Sequence, residues 1–123
     1  MLSPNQVVVA RKAIESTYSD KCTITEYINT KVNNVVSTSK KVIASDEPCR
    51  LSFSKLSSTT ESDGESSVAQ TIKLFISPDI EIKPGSIIEV SRNSKITRYK
   101  ASGKPAVYIT HQEIVLGLEQ RWA

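Results

Sequence analysis

The chain has 123 residues, 38% of them hydrophobic and 6% aromatic, with 16 basic and 13 acidic side chains and a net charge of +3. That length fits one compact domain, and a charge so close to balance does not by itself argue for nucleic-acid binding. Every apolar stretch falls far short of the roughly 20 residues that span a bilayer. The opening Met1-Leu2-Ser3-Pro4-Asn5-Gln6 lacks the basic and apolar regions of a secretion signal, so the expectation is a protein made and kept in a cytoplasm.

The first segment reads as a short helix running from Ser3 to about Tyr18. Ser3 offers an N-cap and Pro4 suits the first helical position. Val7, Val8, Ala10, Ile14 and Tyr18 then make an apolar stripe, with Arg11, Lys12 and Glu15 outward. From Lys21 the period changes to two, with Cys22, Ile24 and Glu26 on one face and Thr23, Thr25 and Tyr27 on the other. Residues 29–39 carry Asn33-Asn34 and little pattern, and read as a hairpin connection.

Lys41-Val42-Ile43-Ala44 starts a second strand that Asp46-Glu47-Pro48 ends. Cys49, Leu51 and Phe53 then alternate as the inward face of a third. Residues 57–67 contain no apolar side chain and three acids, and so read as an exposed loop. Strand pattern resumes at 70–76. Ser77-Pro78-Asp79 and Lys83-Pro84-Gly85 are turns, the second in the order of a type II turn. Residues 86–91 and 96–101 form a hairpin across Arg92-Asn93-Ser94-Lys95. Ser102-Gly103-Lys104-Pro105 turns again, Val107-Tyr108-Ile109 is a strand, and 111–119 is the last, with Ile114, Leu116 and Leu118 inward.

The expected fold is mainly β, a small barrel or sandwich of about six to seven antiparallel strands with a short N-terminal helix and a long acidic Ser-rich loop. Within a single domain over 1–123, residues 1–19 are the helical segment and 20–123 the barrel.

Catalytic motifs are missing from the sequence. The single His111 has no nucleophile or orienting carboxylate placed by a motif, and reads as structural or superficial. Gly103-Lys104 lacks the second glycine of a phosphate loop. Cys22 and Cys49 stand apart without metal-ligand spacing, either as buried reduced thiols or as a disulfide between neighbouring strands. The expectation is therefore no enzyme, no cofactor and no metal. Two charged features remain. Arg92, Lys95, Arg98, Lys100 and Lys104 place five bases in thirteen residues with no acid among them, as a solvated hairpin or as a face for an acidic partner or for phosphates. The acidic segment with Ser58, Glu61, Asp63, Gly64 and Glu65 is a solvated loop, or one that orders where several subunits meet.

Particular strings carry a resemblance. Tyr18-Ser19-Asp20-Lys21-Cys22-Thr23-Ile24, Glu47-Pro48-Cys49-Arg50-Leu51-Ser52-Phe53 and Lys73-Leu74-Phe75-Ile76-Ser77-Pro78 are the first three. Ile80-Glu81-Ile82-Lys83-Pro84-Gly85-Ser86, Gly103-Lys104-Pro105-Ala106-Val107-Tyr108 and His111-Gln112-Glu113 complete the ordered set. The set resembles the head-closure proteins of tailed phages and prophages of Gram-positive bacteria, also called stoppers, head–tail connectors or minor capsid proteins. That resemblance implies a small β-barrel, repeated in a ring below the portal, that continues the DNA channel and docks the tail. It implies as partners other copies of the chain, a portal or adaptor protein, tail-terminator or tail proteins and the double-stranded DNA in the lumen, with no membrane. It places the protein in the virion neck after assembly in the host cytoplasm. By the same analogy the loop with Ser58, Glu61, Asp63, Gly64 and Glu65 lines or gates the channel, and the basic hairpin meets a neighbour. The alternatives are a tail-completion or other minor structural phage protein and, from a different class, a small nucleic-acid-binding β-barrel.

Overall fold

A computed structural model describes residues 2–59 and 66–118. The chain forms helix α1 (Pro4–Glu15) and strands β1 (Asp20–Val32), β2 (Val35–Thr59), β3 (Ser66–Ile76), β4 (Ile87–Arg92), β5 (Lys95–Val107) and β6 (Gln112–Leu118). The six strands close into a barrel in the order β1-β2-β3-β6-β5-β4, and every neighbouring pair is antiparallel. The fold is thus the mainly β barrel with an N-terminal helix that the periodicity predicts.

Helix α1 begins as its sequence dictates. The Ser3 hydroxyl accepts the Gln6 N–H at 3.2 Å while the Gln6 side chain accepts the Ser3 N–H at 2.8 Å, a reciprocal capping box. The orientation differs from the expected stripe. Val8 is exposed, and Arg11 turns towards the barrel, donating to Ser77 Oγ at 3.0 Å and Asp79 Oδ2 at 2.9 Å. An ion pair with the chain after β3 therefore sets the helix's rotation, and no residue of the helix is fully buried.

Several expected breaks lie inside strands. Asp46-Glu47-Pro48 does not end a strand: Asp46 adopts φ +50° within β2, and the β1–β2 register shifts between Cys22 and Ile24 and again between Ile24 and Thr25. Such bulges bend a strand without ending it. The bent β2 pairs with β1 along its first half and with β3 along its second. In the same way Gly103, at φ +72°, lies in an irregularity of β5 between Ser102 and Ala106, where a turn is expected. Tyr108 and Ile109 lie beyond the end of that strand. The predicted hairpin at Asn93-Ser94 is present, with both residues at positive φ (52° and 65°), as a type I′ turn requires.

The interior is filled by side chains. Cys22, Ile24, Cys49, Leu51, Leu74, Ile76, Ile82, Ile88, Val90, Tyr99, Ala101, Ile114 and Leu116 form one buried cluster. Phe53 and Leu118, expected inward, keep the inward alternation but lie beyond the filled part, 46% and 63% exposed. β3 and β4 stand opposite each other in the strand order, so residues 77–86 must cross one end of the barrel. Ile82 plugs that end as part of the cluster, with Ile80 packed against it. The buried Gln112 carboxamide fastens the crossing by donating to Ser77 O at 2.7 Å and Ile80 O at 2.6 Å.

Candidate interaction surfaces

Two ribbons leave the barrel from the two halves of β2. β1 pairs with β4 only as far as Thr25, yet continues against β2 to Val32↔Val35. Residues 26–42 therefore form a two-stranded ribbon, in place of the connection expected at 29–39, turning on Asn33 and Asn34 at φ +53° and +63°. One face carries Tyr27, Lys40, Asn29, Thr38, Lys31 and Val36. Lys40 lies over the Tyr27 ring, its Nζ 6.0 Å from the ring centre, and Thr38 Oγ1 donates to Asn29 Oδ1 at 2.9 Å. The other face carries Thr30 and Ser37, whose hydroxyls lie 3.3 Å apart, and the Val32–Val35 pair. Val32, Val35 and Val36 are 63–65% exposed at the tip. The second ribbon continues β2 and β3 past Phe53↔Ile72 to Thr59↔Ser66. Two-stranded ribbons hold marginally on their own, so projecting ones suit contact with something else.

A groove of about 390 Å³ separates α1 from the outer face of the barrel, lined by Ala13, Ile14, Thr17, Tyr18, Arg50, Phe75 and His111. The Tyr18 hydroxyl is buried there without a hydrogen-bond partner among the described residues, and that burial pushes its pKa up. His111 sits between two rings, stacked on Tyr108 at 4.8 Å and tilted against Phe75 at 5.9 Å. Its Nε2 lies 3.0 Å from Glu113 Oε2, and Lys73 Nζ lies 3.6 Å from Glu113 Oε1. Beside this cluster Val107, Tyr108 and Ile109 are exposed, at 63%, 51% and 66%, as an apolar knob.

The hydrogen bond from His111 holds the Glu113 carboxyl below the usual carboxylate range; burial opposes this and the nearby Lys73 charge adds to it. A carboxyl whose folded pKa is depressed stabilises the fold above its unfolded pKa of about 4.3, and loses that contribution as pH falls through the folded value. Glu113→Gln is therefore expected to be less stable than the parent at pH 6. The two melting temperatures should converge as the pH is lowered into the range where Glu113 protonates. A gap independent of pH would show that the carboxylate makes no such contribution.

The basic residues picked out from sequence do not share one surface. Arg92, at the β4–β5 tip, lies 3.7 Å from the buried Asp20 and 5.7 Å from the centre of the Phe53 ring. Lys95 is exposed at the same tip. Arg98 and Lys100 alternate with the buried Tyr99 and Ala101, so they point outward, and Arg98 stands opposite Glu89. Lys104 is exposed in the irregular part of β5. Of the acidic segment, Ser58 continues β2 against Ser67, whereas Glu61, Asp63, Gly64 and Glu65 lie outside the described residues. Residues 57–59 and 66–67, expected in the loop, belong to strands. Cys22 and Cys49 are buried free thiols, and hydrogen bonding to Cys22 together with burial pushes the Cys49 pKa far up. Sequence reading missed the 26–42 ribbon, the role of Arg11 and the anchor at Gln112.

The sequence matches no family model and no curated protein. Among solved structures, the fold is similar to that of the phage-like element PBSX protein xkdH from Bacillus subtilis. The TM-score is 0.50 at 10% identity, and the likeness covers 80% of this chain and 92% of that one. At that identity the similarity is one of fold, extending over most of both chains.

Proposed function

We propose that this chain is a structural protein of a phage-type particle, a head-closure or head–tail connector subunit that works in several copies. In this reading the copies form a ring below the portal that continues the DNA channel and gives the tail its docking face. The observation that carries the proposal is the shape: a barrel filled with side chains, from which two ribbons project beyond the closed sheet, the first with Val32, Val35 and Val36 exposed at its tip. Such parts supply contacts to neighbours. A ring needs one patch on each side of a subunit, and the ribbons, the apolar knob and the helix groove are enough separate patches for neighbours on both sides and along the axis. The fold likeness to a protein of a phage-like element supports the same reading. Particles assembled without this chain are expected to yield tailless heads that lose their packaged DNA and separate tails, with normal tailed particles restored when the chain is supplied during assembly. Normal tailed particles in its absence would defeat the proposal.

A further inference from the structure

Helix α1 is joined to the barrel by few contacts. None of its residues is fully buried, and the half-buried Val7, Ala10, Arg11, Ile14 and Glu15 form the side turned to the barrel. Among the described residues, the two hydrogen bonds that tie the helix to the barrel both come from Arg11. They reach Ser77 Oγ and Asp79 Oδ2, and the Asp79 side chain is 73% exposed. An ion pair so open to water contributes little to stability. Packing does not make up the difference, since the groove of about 390 Å³ leaves space between the helix and Arg50, Phe75 and His111. The docked position also strands the Tyr18 hydroxyl, buried with no partner among the described residues. Undocking leaves Arg11 with a counter-ion, because Glu15 stands 3.6 Å away on the same helix.

We propose that α1 is a latched strap that exchanges between docked and released positions, with the Arg11 bonds as the latch. On release the bonds to Ser77 and Asp79 break, the chain turns at the link 16–19, and the Tyr18 hydroxyl gains water. Pro4–Glu15 has 12 residues, at the lower limit for a helix that holds without packing, so the released segment frays. Its departure uncovers Phe75 and His111 on the outer face of the barrel. His111 stacks on Tyr108 at 4.8 Å, and Val107, Tyr108 and Ile109 are exposed already. The strap therefore sets the size of one apolar patch. Docked, the patch is the knob alone; released, it gains Phe75 and the His111 ring. The barrel stays closed in both positions, because its core cluster includes no residue of the helix. This device stands apart from the particle reading, and its failure would leave the connector proposal as it was.

The test is amide hydrogen exchange of the full chain, read by mass spectrometry on peptides from α1, β3 and β6. In the parent, α1 amides should exchange at least about a hundredfold faster than those of β3 and β6, which open only with the barrel. Arg11→Met keeps a long apolar stem and good helix propensity but loses the latch, and should speed α1 exchange by about fivefold. Tyr18→Phe removes the stranded hydroxyl and should slow α1 exchange by about the same factor. Exchange in β3 and β6 should match the parent in both variants. Raising salt from about 50 mM to about 1 M should speed α1 exchange in the parent and not in Arg11→Met, because only the parent has the pair to screen. The fluorescence of an apolar dye, anilinonaphthalene sulfonate, should rise with Arg11→Met and fall with Tyr18→Phe. Parent α1 amides as slow as those of β3 and β6 would overturn the strap, and Arg11→Met exchanging at the parent rate would overturn the latch. A dye signal equal in all three proteins would overturn the patch.

Discussion

Urea unfolding of Leu74→Ala is expected to show a loss of about 3 kcal/mol, the middle of the range for truncating a fully buried leucine. Leu74 is fully buried on β3, between β2 and β6, in a barrel whose interior is a single cluster. The removed atoms lose their transfer free energy, and a closed sheet has little freedom to collapse into the space they leave. Leu118→Ala is the matched comparison. It deletes the same atoms from a site 63% exposed and should cost under about 0.5 kcal/mol, the usual range for a surface substitution. Similar losses at the two sites would mean that the filled part of the barrel reaches past Leu118.

Gln112→Leu is expected to cost a further large amount, about 2–4 kcal/mol, although it makes the side chain more apolar. The carboxamide is 1% exposed and is the donor to both Ser77 O and Ile80 O. Leucine fills similar space but leaves the Ser77 and Ile80 carbonyls at the barrel's closed end without the donor that Gln112 supplies, and a partly buried acceptor that loses its donor carries a desolvation cost. The damage should concentrate in the crossing at 77–86, with faster amide exchange at Gly85 and Ser86, whose N–H groups donate to Ala101 O and Lys83 O. Gln112→Glu separates size from donor loss, because it keeps the shape and presents acceptors to two acceptors. A stability change below about 1 kcal/mol in Gln112→Leu would mean that water replaces the missing donors.

Elements with one dry face and one wet face were legible in the sequence. β6 alternates Ile114 and Leu116 with Glu113 and Val115, and the β4–β5 hairpin has Asn93-Ser94 where positive φ is needed. The helix start was legible because Ser3, Pro4 and Gln6 act within one turn. The 26–42 ribbon was not, because with both faces exposed nothing imposes a period of two on its apolar residues. β2 looked interrupted at Asp46-Glu47-Pro48 because a bulge uses the same residues as a turn. Arg11 looked solvent-facing because its partners, Ser77 and Asp79, lie 66 and 68 positions away. Charge misled in the same way. A run of bases in sequence becomes separate environments on a strand, where alternation sends neighbours to opposite faces, while lysines nine positions apart meet on one face of a ribbon.

Cryo-electron microscopy of purified particles, with this chain located by an affinity label, tests its place in a phage-type neck most directly. The connector reading predicts a ring of these barrels between portal and tail, with ribbon contacts to neighbouring copies. A neck whose density is fully built from other chains, with the label elsewhere or absent, would contradict it.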